Sequence, residues 1–436
     1  MGDMFRGASL VARIALLIAV CFLAVQCISL GKRAWRGDTD FSVFYRAAVD
    51  LSRGVGGEIY AQRDQPTGWY NCIPPVGMGV FVAMSWMHRL AAGIVWGLFN
   101  VGLLALCFDL LRRIYSKMST ERLHYEATLP WATVSLAVFG GVCIQTGQTS
   151  VLFVTCWLAY VLVTSENRRS FAGFALALPA ALKLYPILFA IIPLIRRRKG
   201  ELVWISVWLV VLSIVVPAIM FRHQFLELLT TFFQYQVFDP DGRVMTAANP
   251  TAISNQGLDA VMLRYFSYVP SLHDRVGNFP SLGLDPHIVM FAANVIRVAI
   301  VSATAFASVR WIRRSGDEPP LLLLSLWCAT LYVILPGAKA RYAIYVLPAF
   351  LLMIAGAHRA WSQGRIIESR KVVALVVVCA ILLLQILPTF ALEMGLGLIG
   401  PFVLWCYAMN WLAADSLARR PGQDYASGRK RSPDVL

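Results

Sequence analysis

Charge is scarce in this chain. Asp, Glu, Lys and Arg make up 14% of its 436 residues, against roughly 25% in a soluble domain. That shortage excludes an ordinary solvated surface. Histidine is sparse too: His88, His124, His223, His273, His287 and His358 are scattered. None pair as H-x-x-x-H or H-E-x-x-H, so no zinc pattern is present. A Walker-type phosphate loop and a G-x-S-x-G nucleophile elbow are both missing, which excludes P-loop nucleotide chemistry and a hydrolase elbow. Of the nine cysteines, eight (Cys21, Cys27, Cys107, Cys143, Cys156, Cys328, Cys379 and Cys406) lie in or at apolar runs, and only Cys72 lies in a long polar loop. No disulfide framework or metal-ligand spacing is visible.

What is present is apolar. Hydrophobic residues make up 58% of the chain, with a mean hydropathy of +0.64. Runs near 20 residues recur from end to end, which is the signature of membrane-spanning helices. Thirteen candidate runs fall at 10–31, 74–90, 94–111, 129–144, 150–164, 171–182, 186–195, 202–221, 286–309, 319–335, 342–357, 372–390 and 396–414. The first lacks a small-residue cleavage signature and is long for a signal peptide, so it reads as a retained span. The net charge of +15 does not form a basic stripe with interleaved stacking aromatics, which argues against a nucleic-acid partner. The positives sit between apolar runs, as the positive-inside rule requires.

That rule prunes the spans. The basic loops Arg112-Arg113…Lys117…Arg122, Arg168-Arg169, Arg196–Lys199, Arg310…Arg314, His358…Lys371 and the tail from Arg419 are expected to be cytoplasmic. If the run at 74–90 crosses, Arg112 and Arg113 land outside and parity fails from there on. If it lies along the outer face, every basic loop falls inside. The sequence therefore predicts an all-α polytopic membrane protein. It should have about twelve transmembrane helices plus outer juxtamembrane helices, with both termini cytoplasmic. Residues 1–415 form one transmembrane domain and 416–436 a disordered tail. Outer loops 32–93 and 222–285 form the site. Lys32, Arg33 and Arg36 break the charge rule, either by binding anionic phosphates or by tolerating the outer headgroups. The short runs 171–182 and 186–195 read either as a hairpin with Lys183 at its tip or as one kinked span, and the parity of the basic loops favours the hairpin. No internal repeat is visible.

The polar residues that follow the first span are the most informative. Asp38 and Asp40 sit at the hydrocarbon edge, where acidic groups are costly unless used. From Phe41 onward, Phe41, Phe44, Tyr45, Ala48 and Leu51 share one helical face, which predicts an interfacial amphipathic helix. Asp40 either caps that helix or serves as a general base, and the same geometry allows both. Asp38-Thr39-Asp40 has the D-x-D form, yet two carboxylates alone are a weak metal signal, and no metal is expected.

Asp40-Phe41…Phe44-Tyr45…Ala47-Ala48…Gly54…Tyr60, followed by Pro74-Pro75, resembles the first outer loop of GT-C glycosyltransferases. More narrowly it resembles glycosyltransferase family 87, the polyprenyl-phosphate-mannose-dependent mannosyltransferases. Gly147-Gln148-Thr149 is similar to that family's Gly-Gln-Asn stretch. Ala181-Leu182-Lys183-Leu184-Tyr185-Pro186 is similar to its Lys-x-x-Pro hairpin. Asn255-Gln256-Gly257…Arg264 is similar to its Asn-Gln-Ser…Arg segment, with Gly257 in place of Ser. The later loop Pro336–Tyr342 has no histidine where relatives often carry one. The resemblance covers roughly residues 35–350.

The resemblance implies an inverting transferase that moves a sugar, mannose, from a polyprenyl phosphate to a lipid or glycan acceptor. The reaction would take place at the outer face of a bacterial plasma membrane, without a cofactor. Asp40 would be the general base, with Asp38 in reserve. Lys183, Arg264, Lys339 and Arg341 are cations on the predicted outer side. Either they hold the donor phosphate, as cationic donors suit a departing phosphate, or they snorkel to lipid headgroups. Tyr45, Gln148, Asn255 and Gln256 are the substrate-binding candidates, and the last three would serve equally as helix-end caps. Trp69, Tyr70, Phe232, Phe233, Tyr235 and Phe238 either stack on a sugar or belong to the aromatic belt.

Two other classes remain at this stage. One is a polytopic lipid or sugar transporter or flippase, against which stand the missing inverted repeat and the few charges within spans. Asp109 is the exception, explained by Arg112 and Arg113 beside it. The other is a non-catalytic scaffold on the same fold.

Overall fold

The computed structural model describes residues 10–117, 128–238, 254–267, 281–315, 320–335 and 337–418. Among these the chain is almost wholly helical, and the one β contact is an isolated bridge between Arg63 and Tyr70. The polar tail from 419, and residues 239–253 and 268–280 of the loop expected to be the second outer one, lie outside the described residues.

The first half comprises α1 (Leu10–Arg36), α2 (Asp40–Ser52), α3 (Pro75–Met84), α4 (Arg89–Lys117), α5 (Leu129–Thr146), α6 (Ser150–Ser165) and α7 (Arg169–Leu182). A return arm follows, made of a 3-10 helix (Tyr185–Ala190) and a helical turn (Ile191–Ile195). Then come α8 (Lys199–Val210), α9 (Phe225–Phe232), α10 (Leu258–Phe266), α11 (Pro286–Ser315) and α12 (Leu321–Ile334). A 3-10 helix over Ala340–Val346 leads into α13 (Leu347–Ser362), α14 (Ile366–Leu383) and α15 (Ile399–Ala418).

Seven described helices are long and apolar enough to cross a membrane: Leu16–Arg36, Arg89–Lys117, Leu129–Thr146, Lys199–Val237, Pro286–Arg313, Ala340–Ser362 and Leu396–Ala414. Five shorter apolar helices accompany them. Large apolar side chains face outward, among them Leu17, Ile219, Phe291 and Phe306, as an apolar solvent allows. Inside, small polar groups join helices to each other: Cys107 to Thr155 at 3.1 Å, Thr304 to Thr330 at 3.0 Å and Trp405 to Thr304 at 3.0 Å. Such interhelical hydrogen bonds are characteristic of membrane bundles. The protein is a polytopic, all-α membrane protein.

The path of residues 37–88 follows from helix pairing. The Arg89 guanidinium donates to the Trp35 carbonyl, while Gly97 packs on Cys27. These pairings make α1 and α4 antiparallel, so the chain between them leaves and re-enters at one end. α3 has 10 residues, about 15 Å, half of a hydrocarbon core. It does not cross, as the charge-parity argument requires. The hairpin at Lys183 is also present. α8 starts beside the start of α7, because Gly200 packs on Arg169 and Gly173 on Trp204. The arm from Tyr185 therefore returns, and its prolines at 186 and 193 keep it short and irregular.

One expectation is corrected. The pattern from Phe41 predicts a helix lying on a lipid surface. Instead Phe41, Ser42, Val43 and Phe44 are all buried. Phe81 of α3 packs on Phe41 and Phe44, with ring centroids 6.0 and 5.2 Å apart. α3 forms a second layer that periodicity alone does not reveal, so α2 is enclosed in protein.

Candidate active site

Asp40 opens α2. The N-cap of that helix is Thr39, whose Oγ1 accepts from the Ser42 amide at 3.1 Å. A neighbouring residue thus supplies the cap and leaves the Asp40 carboxylate for other partners. Asp40 Oδ2 accepts from Gln148 Nε2 at 2.5 Å and from Arg341 Nη1. Gln148 Oε1 in turn accepts from Lys183 Nζ at 3.2 Å. One carboxylate, one amide and two cations from four distant segments therefore meet at one point.

The segments are held there by specific geometry. α5 ends on Gly147, whose φ of +73° closes the helix in the left-handed conformation that glycine adopts without strain. Its carbonyl accepts from Trp96 Nε1 at 3.1 Å. Its missing side chain lets Phe41 approach: a Cβ on Gly147 would stand 2.4 Å from the Phe41 Cβ. This fit brings Gln148 to Asp40. Arg341 lies in the 3-10 helix Ala340–Val346, where residues three apart eclipse. Tyr342 and Tyr345 accordingly stack, with centroids 5.7 Å apart. The Cys143 thiol donates to the Arg341 carbonyl at 2.8 Å.

Aromatic rings flank the cations. Arg341 lies 5.8 Å from the Trp69 centroid and 5.5 Å from that of Tyr342. The Lys183 ammonium lies 5.3 Å from the Tyr342 centroid and 6.0 Å from that of Tyr185. The Tyr185 and Tyr345 hydroxyls meet at 2.5 Å, and Ser150 contacts Tyr345 at 3.1 Å. Trp69 is held by its loop. Asp64 takes a forked contact from Arg46 and accepts from Thr67 Oγ1 at 2.5 Å. The Asp64 amide also donates to the Trp69 carbonyl at 2.8 Å. Burial pushes the Asp64 carboxyl up, but the hydrogen bonds from Arg46 and Thr67 outweigh it and hold it below the usual carboxylate range. Among the described residues, Arg341 Nε is buried without an acceptor, so one face of the guanidinium is unspent. Lys339 is two residues away, and burial together with the charge of Arg341 pushes its ammonium down to about 8.

The other sequence candidates stand apart. Asp38 is exposed and pairs with Arg33 at 3.3 Å. The Tyr45 hydroxyl donates to the Met87 carbonyl at 2.7 Å, tying α2 to the turn before α4. Arg264, fully buried, donates to the Asn255 carbonyl at 2.6 Å and the Leu392 carbonyl at 3.1 Å. Gln256 Nε2 donates to the same Leu392 carbonyl at 2.8 Å, and its Oε1 accepts from the Gly397 amide at 3.1 Å. Asn255 Oδ1 accepts from the Gly257 amide at 3.0 Å. Arg264 and Gln256 clip the 255–266 segment to the turn at 389–397, and Asn255 is bonded within the segment. The clip reaches the site through backbone: the Gln256 amide donates to the Ala338 carbonyl at 2.7 Å, just before Lys339 and Arg341. Tyr345 and Ser150 were not anticipated. The Tyr-x-x-Tyr spacing of 342 and 345 was the available signal, legible only once the segment is known to be 3-10. Among the described residues no group of His, Cys, Asp and Glu is placed to hold a metal ion.

The model of glycosyltransferase family 87 matches residues 73–336, more than half of the chain. The chain belongs to glycosyltransferase family 87. It is a membrane glycosyltransferase of GT-C type. The matched region contains Gln148, Lys183, Asn255, Gln256 and Arg264. Asp40, Trp69, Lys339 and Arg341 flank it, and Gln148 and the Lys183 hairpin join the two flanks. Neither characterised proteins nor solved structures gave a match.

Proposed function

We propose that this family 87 protein is an inverting transferase that moves a hexose, mannose in the first instance, from a polyprenyl phosphate to a lipid or glycan acceptor. The site would be at the outer face of a bacterial plasma membrane, with both termini cytoplasmic. The observation that carries the reading is the meeting of Asp40 with Gln148, Lys183 and Arg341. A lone carboxylate beside two cations suits a reaction that removes a proton at one atom and releases a phosphate at another.

In the proposed step, Asp40 takes the proton of the acceptor hydroxyl. The acceptor oxygen forms a bond to the anomeric carbon from the face opposite the phosphate. The bond from that carbon to the phosphate oxygen breaks, and its electron pair leaves with polyprenyl phosphate. A positioned base contributes about 10²–10⁴-fold. Arg341 and Lys183 stabilise the charge that grows on the phosphate, with Lys339 behind them. The unspent Arg341 Nε–H gives that guanidinium a forked hold on an anion, the geometry in which arginine exceeds lysine. Arg341 rests on Asp40 in this structure. A donor phosphate competes for the same guanidinium and so frees the base as the donor seats. Gln148 orients the carboxylate, and Trp69 offers a ring to the sugar. Arg264, Asn255 and Gln256 act through the Ala338 carbonyl and hold the 337–341 loop in place.

The test is transfer from synthetic polyprenyl-phosphate-mannose by the purified protein to an extract of native lipids, wild type beside Asp40→Asn. The variant should fold, bind donor and lose about 10²–10⁴-fold in kcat. Full activity in Asp40→Asn would overturn the assignment of the base. Transfer from a different lipid-phosphate sugar alone would overturn mannose.

A further inference from the structure

At the end of the bundle away from Asp40, a second polar site is built between α7 and α8. A cavity of about 260 Å³ is lined by Arg169, Arg197, Arg198, Lys199, Gly200 and Glu201. α7 connects it to the candidate active site: Arg169 begins the helix and Lys183 follows its last residue. Fourteen residues place the two about 21 Å apart.

Three features converge on an anion. First, α7 and α8 are parallel and in register, with Gly200 against Arg169 and Gly173 against Trp204. Their N-termini therefore lie side by side, and neither has a side-chain cap. Two adjacent helix starts bring the positive ends of two dipoles together, although the Arg169, Lys199 and Glu201 amides are already bonded to backbone carbonyls. Second, four cations line the space around those starts. The one acid, Glu201, turns inward, where its carboxylate accepts from Tyr160 at 3.1 Å and Thr164 at 3.4 Å. Third, both helices are entered by the same left-handed corner. Asn167 and Arg197 have φ of +57° and +56°. The Arg168 amide then bonds to Val163 O and the Arg198 amide to Pro193 O. Each corner is the left-handed cap that closes the preceding helix. The second points a run of three basic residues around the start of α8.

The surface beside the cavity is apolar. Phe171 and Val203, one on each helix, are exposed at 63% and 61%, and Leu194 of the return arm at 59%. A soluble anion has no use for such a border, whereas acyl chains do.

We propose that this cavity binds the phosphoryl headgroup of an anionic lipid, with its chains lying over Phe171, Val203 and Leu194. The site is separate from the transfer chemistry and does not depend on it. It anchors the base of the Lys183 hairpin to the opposite leaflet.

The test is native mass spectrometry of the full-length protein released from nanodiscs of mixed phosphatidylglycerol and phosphatidylcholine. The wild type should retain one phosphatidylglycerol in preference to phosphatidylcholine. Arg169→Gln/Arg197→Gln/Lys199→Gln should lose that preference on the order of a hundredfold, the combined effect of three cations near an anionic headgroup. Arg197→Gln alone should lose part of it. A control triple on other exposed cations, Arg313→Gln/Arg370→Gln/Lys371→Gln, should keep it. Equal losses in the two triples would reduce the effect to general surface charge and overturn the site. Displacement of the lipid by millimolar inorganic phosphate would overturn the lipid assignment and leave a soluble-anion site. Melting temperatures of all variants in detergent would show whether a lost lipid reflects a lost fold.

Discussion

Substituting alanine for Gly147 probes the joint that brings Gln148 to Asp40. The residue sits at φ +73°, where a non-glycine residue costs about 1–2 kcal/mol. Its new methyl would stand 2.4 Å from the Phe41 Cβ, 3.1 Å from the Phe41 nitrogen and 3.2 Å from its Cα. These atoms belong to or adjoin the backbone of α2, so no side-chain rotation relieves the clash. Ordinary contact requires α2 to retreat by about 1 Å, at an overpacking cost of about 1–3 kcal/mol. The total is about 2–5 kcal/mol. Because Phe41 follows Asp40 directly, the retreat also carries the carboxylate away from Gln148 and Lys183. A misplacement of that size costs about 10²-fold in rate. The assay pairs thermal unfolding in detergent with sugar transfer at saturating donor. Gly147→Asn separates the two causes, since asparagine tolerates positive φ yet keeps the Cβ. It should recover part of the stability and none of the activity. Gly147→Ala with wild-type melting and wild-type transfer would refute the argument that this close approach positions Asp40.

The remaining predictions concern charge and buried polar groups. Lys339 has an ammonium pushed down to about 8 by burial and Arg341, so it is cationic below that pH and loses its charge as pH rises through it. kcat/KM for the donor should therefore fall above pH 8, and Lys339→Met should flatten that limb; an unchanged limb in the variant would remove Lys339 from the donor site. Arg264→Met removes the Arg264 hydrogen bond to the Asn255 carbonyl, at about 1–3 kcal/mol, while the Leu392 carbonyl keeps its bond from Gln256. It should lower the melting temperature without changing donor KM, and a large KM change would return Arg264 to the phosphate. Asp259 and Arg297 form an ion pair in which Asp259 is almost fully buried. Asp259→Ala should cost about 3–5 kcal/mol by stranding the guanidinium. Asp259→Ala/Arg297→Met should recover much of that loss in the same unfolding measurement.

Fold class was legible because membrane insertion acts on composition and on loop charge, both of which are local. The recurrent apolar runs imply a polytopic bundle, and the positions of Arg112 and Arg113 require that Pro75–Met84 not cross. The tip position of Lys183 follows from two short runs that only a hairpin reconciles. Basic loops also gather at one end: Lys117 contacts Glu166 at 2.7 Å, and Arg169 adjoins Gly200. The burial of α2 was not legible, because its cover, α3, is itself almost uniformly apolar and shows no amphipathic stripe.

At the site, sequence determined which residue types were unusual for their place: carboxylates and cations beside an apolar run. It did not determine which of them meet. Asp40 and Arg341 lie 301 positions apart, and only the closing of α5 on Gly147 and the 3-10 geometry after Lys339 bring them together. Arg264, Asn255 and Gln256 had the same polar signature as Lys183 and Gln148. Tertiary packing directs Arg264 and Gln256 onto backbone carbonyls and Asn255 onto a backbone amide, whereas Gln148 meets the Asp40 carboxylate and Lys183 meets Gln148. The physical reason is that partition between water and lipid reads one residue at a time, whereas a hydrogen bond requires two groups at a set distance and angle. Only the assembled bundle fixes those.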